Sequence, residues 1–259
     1  MYCVHQQAPL PKPLIEKTSW FAQFFKVQEG VISLSLKNIT IFFSLLINVG
    51  FILFAYRACS KGEVTCNNVE WPMISDILAI KPYDRWFVFL STFYMLGIMQ
   101  INMRAFFKKV YGFIPDATND HIFYTGIAAC VALPLIGIFD EHDYRPLHYV
   151  FAGIFFGGFS LYGIWLGHAM FVNKARFPES EQRTIATLRN NTMGLFLVTA
   201  ALVFSTFWFG TSCRITPAFE WATAFYVVNY YAIMAFANPY YDSIHPEFEV
   251  EGEKPECKA

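Results

Sequence analysis

Charge is what this chain has least of. Only 15% of its 259 residues are Asp, Glu, Lys or Arg, and the formal net charge is −1. Soluble domains are usually about a quarter charged, so an ordinary water-soluble globule is a poor first reading. The near-neutral balance also gives no argument for a nucleic-acid partner, which calls for a basic surface. Motifs with known mechanics are missing as well. There is no His-Glu-x-x-His pair, no Gly-x-Ser-x-Gly elbow, no phosphate-binding loop and no Cys-x-x-Cys. No nucleophile with an adjacent base is evident. The sequence therefore assigns no enzyme activity, no metal and no cofactor. The first 37 residues hold no compact apolar core ending in a small-residue cleavage site. The first spanning helix is expected to act as an uncleaved anchor.

What is present is apolar. Hydrophobic residues make up 55% of the chain, and Phe alone occurs 29 times. Several long apolar runs point to an integral membrane protein. The expected fold is all-α and polytopic, with six transmembrane helices at about 38–57, 85–106, 121–139, 147–171, 192–210 and 217–237. Each is close to the roughly 20 residues that cross the hydrocarbon core. Pro134 is expected to kink the third. The fourth carries Gly153-x-x-x-Gly157 and Gly163-x-x-x-Gly167, spacings that permit close helix approach. Residues 1–37 read as an N-terminal tail, 38–237 as the membrane domain and 238–259 as a C-terminal tail. In the first tail, Trp20, Phe21, Phe24, Phe25 and Val27 suit a membrane surface, with Lys17 and Lys26 snorkelling outward. A strand or loop packed on the bundle fits equally well.

Lys and Arg in the connections set the orientation. One side collects Lys12, Lys17, Lys26 and Lys37, then Arg104, Lys108 and Lys109, then a loop from Lys174 to Arg189. The other side is poorer in cations, so the first side is read as cytosolic and both termini lie there. Cys59, Cys66 and Cys213 then fall on the lumenal side, where disulfides form. Pairing of Cys59 with Cys66, or of Cys66 with Cys213, is open. The sequons Asn38-Ile-Thr40 and Asn190-Asn191-Thr192 fall on the cytosolic side and are expected to stay unglycosylated.

The lumenal side gathers the polar groups that suit a binding site. The first loop has Ser75, Asp76, Asp84 and Arg85; the second runs Ile138-Phe139-Asp140-Glu141-His142-Asp143-Tyr144-Arg145 and on to His148; Glu220 lies just inside the last helix. An intramembrane carboxylate usually faces the bundle interior and has a partner, and Arg85 and His148 are candidates. Glu220 reads either as part of a headgroup pocket or as a salt-bridge residue near the interface. The acids and histidines of 140–148 match no metal spacing. The basic rim at Lys108, Lys109 and 174–189 reads as ordinary positive-inside bias, although it suits anionic lipid too.

Four pieces resemble the FRAG–DRAM–SFK superfamily of six-helix membrane proteins. They are Trp71-Pro72-Met73-Ile74-Ser75-Asp76 with Pro82 and Arg85-Trp86; Asp140 to Tyr149 with His148 at a helix head; Cys213; and Phe219-Glu220-Trp221. The Met1-Tyr2 opening, the Pro82 to Arg85-Trp86 spacing and the Cys213 to Glu220 element are most similar to the post-GPI-attachment-factor branch. Ile74-Ser75-Asp76 is more similar to the autophagy-modulator branch. The resemblance implies a role in lipid remodelling of GPI anchors in the Golgi or endoplasmic reticulum. Asp76, Arg85, His148 and Glu220 would form a lumenal pocket for a lipid headgroup, a GPI glycolipid included. An acyltransferase or other membrane protein is an implied partner. The alternatives are a non-enzymatic regulator at the lysosome or plasma membrane, and an accessory subunit of a larger membrane complex.

Overall fold

A computed structural model describes residues 25–28, 31–34, 36–66, 71–210 and 215–237. Apart from one short hairpin, β1 Phe25–Gln28 paired antiparallel with β2 Val31–Leu34, these residues are overwhelmingly helical. Phe25 and Val27 thus sit in a strand, one of the two readings of the N-terminal segment. Trp20, Phe21 and Phe24, with both outer tails, lie outside the described residues, as does Cys213.

Six long helices make the bundle. They are α1 Leu36–Ser60, α3 Tyr83–Val110, α4 Asp116–Ile138, α5 Arg145–Val172, α6 Glu179–Phe209 and α7 Ile215–Ala237; the five-residue α2 Ile74–Leu78 lies in the first connection. The first five of the long helices are long and apolar enough to cross a membrane. Their outward faces carry Leu45, Ile52, Phe89, Leu197, Phe204 and Phe207, all exposed. Apolar surface on that scale needs lipid around it. Neighbours in sequence pack against one another, and α7 returns to pack on α1, which closes a ring.

The seventh helix, α7, places polar groups among its neighbours inside the ring. Asn229 donates to Asn48 Oδ1 at 3.3 Å and receives from its amide at 2.9 Å. The Val228 carbonyl accepts from Tyr94 Oη at 2.6 Å and from Ser44 Oγ at 3.1 Å. Elsewhere Asn102 donates to Thr40 at 2.9 Å, Ser160 to Thr199 at 2.7 Å, and Tyr162 bonds Tyr231. Such interhelical bonds contribute about 0.6 kcal/mol each. Tyr94 sits in a π-helical stretch of α3, Phe93–Met99.

Two expectations change here. The stretch read as a basic loop from Lys174 to Arg189 is a short turn, Lys174–Arg176, and then the first turns of α6 from Glu179. Hydropathy sees only the part of a helix that suits hydrocarbon, and these turns are polar. The two glycine pairs also part company. Gly153 and Gly157 face open space, with nothing within 4 Å of an added Cβ. Gly167 meets α6, where an added Cβ would lie 2.6 Å from Thr192 Oγ1. Only the second pair therefore serves close approach.

The ring has two ends. One end has the connection after α1, closed locally by a Cys59–Cys66 disulfide with Cα atoms 5.5 Å apart, and the connection between α4 and α5. At the other end Lys109 pairs with Glu181 at 3.0 Å and Arg176 donates to the Gly112 carbonyl at 3.1 Å. Both sequons lie within helices, at the head of α1 and inside α6.

Candidate functional site

The candidate site forms where α7 begins, at the disulfide end. Its floor is the first connection. Pro72 and Met73 lead into α2, whose five residues are too few to hold a helix by local propensity. The early N–H groups of such a helix have no partners of their own. Two carboxylates supply them. Asp76 Oδ2 accepts from Met73 N–H at 3.1 Å, and Glu220 Oε2 accepts from Ile74 N–H at 2.6 Å. Trp221 adds a third tie, donating from Nε1 to the Pro72 carbonyl at 3.0 Å, while its ring meets Trp71 edge-on at 6.2 Å. Two sequence pieces some 146 positions apart are thus one unit.

His148 comes from the first turn of α5, where Pro146 suits the helix start. It is buried, and its Nδ1 bonds the Phe139 carbonyl at 3.1 Å. A carbonyl only accepts, so Nδ1 carries the proton and Nε2 is left for another partner.

These elements enclose a cavity of about 50 Å³. Ser75, His148 and Glu220 line it, among Phe51, Phe87, Leu133, Phe155 and Phe156. Ser75 is 6% exposed and its hydroxyl has no hydrogen-bond partner. Glu220 is 7% exposed, and among the described residues no Lys or Arg is ion-paired to it. A buried carboxylate without a cation is costly. Asp76 lies outside the cavity and is exposed. The protein crowding its carboxyl raises its pKa above the ordinary value, the Met73 bond opposes the rise, and the negative charge of Glu141 adds to it.

A sequence model described as the Frag1/DRAM/Sfk1/Cwh43P N-terminal domain matches residues 35–237. The chain belongs to the Frag1/DRAM/Sfk1 family. The matched span runs from the head of α1 to the end of α7, so the whole ring is the family domain. No match was found among curated proteins or among solved structures.

Within this family domain the four residues expected to meet do not all meet. Glu220 and His148 share the cavity, and Asp76 stands beside it. Arg85 is elsewhere: it lines an outer groove between α3 and α4 with Asp84, Val88, Phe89, Thr92, Phe93, Gly137 and Ile138. Helical spacing explains the separation. Positions 85, 88, 89, 92 and 93 share one face of α3, whereas Phe87, Leu90, Ser91 and Tyr94 share the inward face. Ser75, one of the lumenal polar groups but not one of the four expected to form the pocket, lines the cavity. Its signal was a lone hydroxyl in the otherwise apolar Ile74-Ser75-x-Ile77-Leu78 pattern.

Proposed function

We propose that this Frag1/DRAM/Sfk1-family membrane protein spans the bilayer six times, keeps both termini in the cytosol, and holds a lipid headgroup at its lumenal end. The observation that carries the reading is the buried Glu220, with no cation paired to it among the described residues, beside a Ser75 hydroxyl likewise without a partner there, in an aromatic cavity. A disulfide at that end suits a lumenal compartment. The basic residues of the opposite end suit the cytosol. The ring closed by α7 supports counting it as the sixth span.

The cellular role that fits is lipid remodelling of GPI anchors in the Golgi or endoplasmic reticulum. The resemblance of the Pro82 to Arg85-Trp86 and Phe219-Glu220-Trp221 elements to that branch supports it. The site favours presentation of lipid over catalysis, since the Ser75 hydroxyl is bonded to no base. The test is the surface abundance of GPI-anchored proteins in cells lacking this chain. Abundance should fall, return with wild type, and stay low with Glu220→Ala. Normal abundance without the chain would remove the GPI role and favour a regulator at another membrane.

A further inference from the structure

We propose that the cavity at the head of α7 recognises a primary ammonium of the ethanolamine type, with Glu220 as counter-ion and the Ser75 hydroxyl as second partner. The inference rests on the headgroup reading above and names the headgroup.

The first observation is the missing cation. Glu220 is buried and lines the cavity; its carboxylate accepts from the Ile74 N–H at 2.6 Å and from the Ser75 backbone N–H, but no Lys or Arg among the described residues is ion-paired with it. Among the described residues, the charges that act on it are of the wrong sign: Asp76 and Glu141 are both negative neighbours. A buried charge is ordinarily paired. His148 lines the same cavity but forms no ion pair with it, and its Nδ1 is occupied by the Phe139 carbonyl.

The second observation is Ser75. Its hydroxyl is buried, lines the cavity and has no hydrogen-bond partner among the described residues. A buried hydroxyl in that state lacks the hydrogen bond that burial calls for. An ammonium offers three donors, enough for Glu220 and Ser75 together.

The walls and the volume narrow the ligand. Phe51, Phe87, Phe155 and Phe156 surround the space, and aromatic faces attract ammonium groups. One water needs roughly 10–15 Å³, so about 50 Å³ admits about three or four groups of that size. An ammonium on its two methylenes fits. The trimethylated nitrogen of choline has no N–H to donate to Glu220 or Ser75. A bare divalent cation prefers six or more oxygens, and no cluster of three acidic, His or Cys ligands occurs among the described residues.

Two membrane sources carry this group: phosphatidylethanolamine, and a phosphoethanolamine-bearing glycolipid. The experiment uses the full chain in phosphatidylcholine nanodiscs doped equally with phosphatidylethanolamine and phosphatidylglycerol. Lipid retained after detergent exchange is read by native mass spectrometry. Phosphatidylethanolamine should be enriched over phosphatidylcholine by at least about tenfold, the scale of a buried charge pair. The enrichment should collapse in Glu220→Gln, shrink in Ser75→Ala, and persist in Arg85→Ala. Displacement by free phosphoethanolamine would support the headgroup alone as ligand, which a glycolipid also supplies. Resistance to displacement would support the diacyl lipid. Glu220-dependent enrichment of phosphatidylcholine or phosphatidylglycerol instead would overturn the ammonium and leave the headgroup reading intact. No retention dependent on Glu220 or Ser75 would overturn both. If Glu220→Gln fails to fold, Ser75→Ala carries the same comparison.

Discussion

The two ends of the bundle handle charge in opposite ways. At the basic end, charges are matched. Lys109 meets Glu181, Arg176 meets a carbonyl, and the Arg189 guanidinium and Lys174 ammonium lie over the Phe171 ring at 4.1 and 4.9 Å. These contacts tie α3, α5 and α6 together and pair Glu181 with a cation without a ligand, although its second oxygen, Oε2, has no hydrogen-bond partner among the described residues. At the disulfide end, among the described residues, a buried carboxylate has hydrogen bonds but no cation, and a buried hydroxyl has no hydrogen-bond partner. Paired charges mark a clamp. Incomplete contacts, in a cavity, mark a place made for something else.

The contrast predicts different responses to removing one charge. The largest effect should come from Lys109→Met, which leaves Glu181 nearly buried and alone. Breaking a fully buried pair costs about 3–5 kcal/mol, and the partial exposure of Lys109 reduces this to about 2 kcal/mol. Thermal unfolding of the purified chain in detergent should show a lower midpoint. Glu220→Gln should behave differently. The amide still accepts from Ile74 N–H and carries no charge that needs a cation, so the midpoint of the ligand-free protein should not fall. A lower midpoint would mean that Glu220 has a cation already, and the contrast between the ends would fail.

Smaller effects sharpen the picture. Trp221→Phe keeps the ring but loses the bond to Pro72, and should cost about 1 kcal/mol. A change near zero would show that α7 does not hold the first connection through this bond. The smallest effect concerns pH. The carboxyl of Asp76 has a folded-state pKa above its unfolded one, so folding favours its protonated form. Its contribution is complete below the ordinary carboxylate value and is lost as pH rises through the raised value. Unfolding midpoints recorded across that window should decline slightly in wild type and flatten in Asp76→Asn. A wild-type midpoint that rises with pH there, through a contribution Asp76→Asn removes, would reverse the sign.

The sequence made the helices legible because burial in lipid leaves a long apolar record. It undersized them where polar turns continue the helix, as from Glu179 to Arg189 in α6. It could not say which of two glycine pairs faced a neighbour, because spacing carries no direction. Gly157 and Gly167 differ only in what stands opposite. Glu220 stood out as a carboxylate in an apolar helix, yet its tie to Ile74 is a long-range contact that no local pattern records. Arg85 is the instructive case. Grouping it with the pocket used closeness along the chain, whereas the face it shares with Phe89 and Phe93 turns it outward. That face was readable in the sequence.

The pairing of the first connection with the head of α7 also has a meaning in time. A ribosome delivers Pro72 and Ile74 long before Glu220 and Trp221. Until the last helix arrives, the Pro72 carbonyl and the Ile74 N–H lack the partners they have in the finished protein. A chain cut short after α6 would keep five apolar helices and still present an unfinished first connection. The same contacts that shape the site therefore report that synthesis and insertion have run to the end.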